Sequence, residues 1–114
     1  MRLYVIGPVT GKDGLNREAF ESARRRLVEA GYIAAIPHDK VGEDDDWRTA
    51  MSKSIREMLS MRRGAPVYDG VAELPQCIGS KGARCERGIC EQLGIPHRPV
   101  DEWVSEAEEK RGGR

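Results

Sequence analysis

Four short apolar runs, Leu3–Ile6, Tyr32–Ile36, Val67–Leu74 and Ile95–Val100, alternate with three longer segments of helical period. No other feature of the chain restricts its fold as much. Strand and helix repeated in this order predict parallel strands, because each helix carries the chain back to the starting edge of the sheet. Crossovers of this kind are right-handed, so helices cover both faces. The expected class is α/β: a three-layer, Rossmann-like or flavodoxin-like sandwich around a small parallel sheet of about four to five strands.

The helices between the runs carry their own punctuation. The first is predicted from about Asn16, a candidate N-cap, to Ala30, with Phe20, Ala23 and Leu27 as its inner stripe and Gly31 as its stop. The second runs from Trp47 to about Met61, capped by Asp46 at the end of the acidic stretch Glu43–Asp46. Acids there favour the positive end of a helix dipole, which explains them better than divalent-metal binding does. The third is predicted over Ser80–Leu93. Residues 1–100 then form one domain, and 101–114 a short C-terminal helix with a frayed tail.

With 114 residues the chain is long enough for one core and too short for two. Its 19 basic and 19 acidic residues cancel, so no global field draws it to nucleic acid or to an anionic membrane. The run Arg24-Arg25-Arg26, flanked by Glu21 and Glu29, reads as a solvated helix face. No apolar run approaches the roughly 20 residues that span a bilayer, and the N-terminus does not read as a signal peptide. A cytoplasmic protein is expected. Cys77, Cys85 and Cys90 have neither metal-finger spacing nor disulfide geometry, and read as bystander thiols. No metal and no organic cofactor is called for.

In such sheets ligands bind beyond the carboxyl ends of the strands. Two loops fall there, Gly7–Gly14 and Pro75–Gly82. In the first, Gly7 and Gly11 allow close backbone approach and Pro8 stiffens the turn, but the pattern lacks the spacing of a P-loop or a dinucleotide fingerprint. In the second, Ser80 can cap the third helix, Gly82 leaves backbone N–H groups uncovered, and Lys81 and Arg84 add positive charge. That combination suits one phosphate, although an ordinary Ser cap beside solvated cations has the same composition.

Glu86 lies in the second turn of that helix, followed by Ile89, Cys90 and Leu93 at i+3, i+4 and i+7. The spacing aims its carboxylate along the apolar stripe, toward the core. Asp69 interrupts the strand run Val67–Leu74, where a carboxylate must be paired, lie at an edge, or point into a site. Converging, the two would suit cleavage of a glycosidic bond: one attacks the anomeric carbon and the other manages the leaving base.

The segments Tyr4-Val5-Ile6-Gly7-Pro8-Val9-Thr10-Gly11, Asn16 with Phe20, Ala30-Gly31, Ser80-Lys81-Gly82-Ala83-Arg84-Cys85-Glu86 and Leu93-Gly94-Ile95-Pro96 together resemble the nucleoside 2-deoxyribosyltransferase superfamily. The likeness is greatest to a small branch labelled DUF4406, common in phage and bacterial genomes. It covers roughly residues 2–100, which makes residues 1–100 a nucleoside 2-deoxyribosyltransferase-like domain. The resemblance implies that Glu86 is the nucleophile of a glycosyl–enzyme intermediate and that Asp69 handles the base. It places Tyr4, Gly7, Pro8, Val9 and Thr10 along the sugar and base pocket, and Ser80, Lys81 and Gly82 at a 5′-phosphate. Ser80, six residues before Glu86, stands where transferases of free nucleosides carry Asp, and resembles the 2′-deoxynucleoside 5′-monophosphate N-glycosidases. It also implies a homo-oligomer.

The chain departs from that pattern in three places. Lys53 and Ser54 stand near the point where the superfamily's second helix often carries a pocket-facing Asp. Gln76-Cys77 follow Leu74-Pro75 in place of Gly-Trp, and Glu73 replaces an apolar strand residue, which predicts exposure near the strand's end. Three readings follow: an N-glycosidase or deoxyribosyltransferase acting on a nucleotide, a non-catalytic protein that sequesters a nucleotide signal as a phage-type anti-defence device, or a structural domain in which Glu86 is a paired core carboxylate and Trp47 and Trp103 serve a partner.

Overall fold

The computed structural model describes residues 1–9 and 13–112. Its first half contains β1 (Arg2–Ile6), α1 (Arg17–Glu29), β2 (Ile33–Ala35) and α2 (Trp47–Met58). A two-stranded hairpin follows, β3 (Met61–Arg62) and β4 (Ala65–Pro66), and then β5 (Gly70–Glu73), α3 (Lys81–Leu93), β6 (His97–Pro99) and α4 (Val100–Gly112). The main sheet has the order β2-β1-β5-β6 and every pairing in it is parallel. Tyr4 stands opposite Ala35 on one side and Val71 on the other, and Val71 opposite His97.

Alternation along β1 and β5 sorts the core into two layers. Leu3, Val5 and Ala72 pack with Phe20, Ala23 and Leu27 of α1 and Val100 and Trp103 of α4. Tyr4, Ile6 and Val71 face the opposite way, toward Met58 of α2 and Ala83 and Cys90 of α3. Helices on both faces of a parallel sheet make the molecule a three-layer, Rossmann-like sandwich. From β1 the chain runs outward to β2 and then returns past β1 to β5, so the strand order reverses between β1 and β5. A crevice opens at the carboxyl ends of these two strands, because their following loops diverge to opposite faces.

Several local expectations change. The second helix stops at Met58, and the chain turns through Arg63 and Gly64, both at positive φ (52° and 80°). This two-residue reversal twists as a hairpin requires, with Gly64 supplying the left-handed residue at no steric cost. Strand β5 begins at Gly70, three residues later than the apolar run suggested. Asn16 does not cap α1: it is left-handed at φ 59°, and its Nδ2 donates 2.8 Å to the Pro8 carbonyl, tying the first loop to the helix start. Asp46 does cap α2, accepting from the Thr49 N–H at 2.7 Å.

The C-terminal helix is neither short nor appended. Trp103 is 2% exposed, and its Nε1–H donates 2.9 Å to the Val71 carbonyl. It therefore belongs to the core and is not available to a partner. Gly70 allows this contact, since a Cβ there would lie 3.0 Å from the indole and 3.1 Å from the Pro96 carbonyl. No helix among the described residues is long and apolar enough to cross a membrane.

Candidate functional site

At the crevice lies a cavity of about 410 Å³, walled by the loop after β1, the start of α2 and the start of α3. Glu86 forms part of its wall and is 5% exposed. Ala83, Glu86 and Cys90 are the buried positions of α3, so the helix turns Glu86 inward as its spacing requires. Leu93, expected on the same stripe, is exposed.

Glu86 is held by a hydroxyl relay. Ser54 Oγ, from the buried face of α2, donates to Glu86 Oε2 at 2.5 Å, and Tyr4 Oη lies 2.8 Å from Ser54 Oγ. A serine hydroxyl has one proton. With that proton on Glu86, Ser54 must accept from Tyr4. Burial pushes the Glu86 carboxyl up to about 7 from the ordinary 4.5, and the Ser54 hydrogen bond pulls in the opposite direction. Burial also raises the Tyr4 phenol, which keeps it a proton donor.

The start of α3 supplies the anion-binding elements. Ser80 Oγ accepts from the Ala83 N–H at 3.2 Å, a side-chain cap that leaves the hydroxyl proton free for a ligand. Ser80, Lys81 and Gly82 all line the cavity, where the first N–H groups of a helix are unpaired. Gly82 also lets α3 approach α2, for a Cβ there would lie 2.8 Å from Met51 Sδ.

A family model described as a domain of unknown function, DUF4406, matches residues 1–97. The chain belongs to the DUF4406 family. No curated protein and no solved structure matches it.

Of the first-loop residues named from the sequence, Gly7, Pro8 and Val9 line the cavity of this DUF4406 protein. Gly7 does so for a different reason from close approach to a ligand. A Cβ on it would lie 2.7–2.9 Å from three Leu74 atoms, so its missing side chain admits the neighbouring loop. Thr10 lies outside the described residues. Tyr4 is fully buried and is not among the lining residues; it acts behind the wall, on Ser54.

Asp69 does not converge with Glu86. It precedes β5 at the amino edge of the sheet, where its Oδ2 accepts from the Arg2 N–H at 2.7 Å and its own N–H donates to the Arg2 carbonyl. The length of β5, at about 3.3 Å per residue, separates it from the carboxyl-edge crevice. Glu73 is not exposed either. It is 8% exposed, with Arg87 Nε at 2.9 Å and His97 Nδ1 at 2.7 Å from its Oε2.

Three contributors went unassigned in the sequence. Ser54 stands near the pocket-facing position noted on the second helix, but its bond to Glu86 emerges only once α3 is placed against α2. Trp47 is not outside the pocket: it lines the cavity, with Lys81 Nζ 4.6 Å from its ring centroid. His38 also lines it, with Nε2 2.7 Å from the Leu15 carbonyl, which fixes the proton on that nitrogen, while burial lowers the ring's basicity. Among the described residues no three His, Cys, Asp or Glu side chains gather as a metal set.

Proposed function

We propose that this DUF4406 protein is an N-glycosidase or deoxyribosyltransferase acting on a (deoxy)nucleoside 5′-monophosphate, with Glu86 as nucleophile. One observation carries this reading: a buried carboxyl, partnered by a hydroxyl, on the wall of a cavity that a helix N-terminus also enters. Glu73 shows what a structural buried carboxylate looks like in the same molecule, with a guanidinium and an imidazole beside it. The influences on Glu86 are burial and the Ser54 hydroxyl. A carboxyl kept without a cation costs stability, which argues for a task in the cavity.

In the proposed reaction the Ser80 hydroxyl, Lys81 and the Gly82 N–H hold the phosphate. The Glu86 carboxylate attacks C1′ as positive charge builds on the sugar, and the C1′–N bond breaks with its electrons leaving on the base. The base departs toward the cavity mouth and takes its proton from solvent. Water, or a second base in transfer, then attacks C1′ and gives its proton to solvent, while the C1′–O bond breaks with its electrons returning to the Glu86 carboxylate. This assignment links the DUF4406 chain to the nucleoside 2-deoxyribosyltransferases through the motif around Glu86. It also keeps the expectation of a homo-oligomer.

The test is release of free base from a panel of deoxynucleoside 5′-monophosphates, followed by chromatography. Wild type should release base from at least one, and Glu86→Ala should lower the rate by about three orders of magnitude or more. Equal rates would remove Glu86 from the chemistry. The position of Asp69 favours a second reading, nucleotide sequestration, because Glu86 is the one carboxylate among the described lining residues. Native mass spectrometry separates the two: sequestration predicts an intact co-purified nucleotide and no base release.

A further inference from the structure

Trp47 opens α2, and Lys81 opens α3, so two helix starts place them side by side at the cavity. Trp47 is 42% exposed, which leaves a large apolar ring in water on a molecule whose other tryptophan is 2% exposed. Lys81 Nζ, 4.6 Å from the ring centroid, is held by the negative face of the indole. An exposed cation–π pair of this kind is weak, so a ligand that offers the ammonium an anion and the indole a planar ring can displace it.

We propose that Trp47 and Lys81 form a two-part clamp for a nucleoside monophosphate, the indole stacking on the base and the ammonium pairing with the 5′-phosphate. The clamp rests on the nucleotide reading of the cavity, in which Lys81 already meets the phosphate, and adds Trp47 as the residue that holds the base. The covered wall already offers an anion site at Ser80 and Gly82, one residue on either side of Lys81. The described lining also includes the apolar side chains of Val41, Ala50 and Met51. A planar heteroaromatic ring suits that surface, and stacking on an aromatic side chain favours binding without selecting among bases. Lys81 thus exchanges an aromatic partner for a phosphate when the ligand arrives.

The two tryptophans make the clamp directly observable. Trp103 is enclosed in the opposite layer and bonded to Val71, so a ligand-dependent change in emission reports Trp47. Titration of Glu86→Gln protein, which holds its ligand without turnover, uses deoxynucleoside 5′-monophosphates, the matching nucleosides, and deoxyribose 5-phosphate, with calorimetry in parallel. Nucleotides should quench Trp47 saturably, and deoxyribose 5-phosphate should bind without quenching. Adding Trp47→Leu should abolish the quench and weaken nucleotide binding about tenfold. Adding Lys81→Met should weaken nucleotides about tenfold and leave the nucleosides unchanged. Nucleotide binding with undiminished affinity in Trp47→Leu, or calorimetric binding of the nucleotides without a change in emission, would overturn the clamp while sparing the nucleotide reading. Absence of calorimetric binding by every nucleotide would overturn both.

Discussion

Glu86 carries opposite demands on one side chain. Its carboxyl ionises near 4.5 in an unfolded chain and near 7 in the folded one. Below the first value it is protonated in both states and adds no pH dependence. Between the two the folded state keeps a proton that the unfolded state has lost, so stability falls as pH rises, and above 7 the loss is complete. The difference corresponds to about 3 kcal/mol. Glu86→Gln should therefore be more stable than wild type at pH 8, by about 1–3 kcal/mol in denaturant titrations, and nearly equal to it at pH 4. A Glu86→Gln protein no more stable at pH 8 than at pH 4, relative to wild type, would contradict the burial cost. Ser54 opposes that cost by donating to the ionised form. In Ser54→Ala the acidic limb of the pH–rate profile should move to higher pH than in wild type, because the hydrogen bond that lowers the Glu86 carboxyl is gone, with rates recovering as the pH is raised further. A uniform loss at every pH would assign Ser54 to packing instead. The inward aim of Glu86 was legible because helical period alone sets it. Asp69 misled because the apolar run Val67–Leu74 drew the strand three residues too early, converting a residue before the strand into one inside it. The partner of Glu86 was hidden for another reason: Ser54 and Glu86 are 32 positions apart and meet only across two helices.

At the level of elements, glycines set how closely the walls approach. Gly7 and Gly82 both line the cavity, yet they should respond differently to an added methyl. At Gly7 the Cβ would meet the Leu74 Cβ itself at 2.8 Å, near the backbone and unable to swing away. At Gly82 it would meet the flexible sulfur of Met51. Gly7→Ala should cost about 1–3 kcal/mol in thermal or chemical unfolding and Gly82→Ala less than about 1, with Gly82→Ala instead weakening ligand binding as Met51 moves. The reverse ranking would show that Leu74, not Met51, yields. The α4 helix makes a stronger demand. Trp103→Ala should destabilise by about 3–5 kcal/mol, since it empties the core and leaves the Val71 carbonyl without its indole donor. An expression product ending at residue 100 should not fold cooperatively. Sequence gave little warning of this, because α4 is polar on most of its surface and carries its burial on Trp103 and Val100. The β3–β4 hairpin escaped notice because Met61 and Arg62 continue a helical composition. Only Gly64 marks the turn.

For the whole molecule, the order of elements was enough to place a site before any side chain was positioned. Parallel strands in the order β2-β1-β5-β6 open a crevice after β1 and β5, and both loops picked from sequence contribute to its lining, together with Pro37, His38 and Val41 from the loop after β2. What chain order could not convey is which end of the sheet a given residue occupies and which helix faces which. Those facts separate Asp69 from the crevice and bring Trp47 and Ser54 to it. The zero formal charge gives the molecule no long-range attraction for polyanions, so the local field at the start of α3 is the feature a small phosphate would meet. The resemblance around Glu86 implies self-association, and sedimentation equilibrium should give a mass that is a multiple of 12.7 kDa. A 12.7 kDa species at every concentration would contradict that expectation. Whether Glu86 forms a bond to the sugar is the central question. Peptide mass spectrometry after acid quench, with a 2′-fluorinated nucleotide that slows release of the sugar, measures this directly. The account predicts a phosphorylated sugar ester on the peptide containing Glu86, absent in Glu86→Gln. Base release from the same nucleotides with no adduct, at equal rates in wild type and Glu86→Gln, would contradict it.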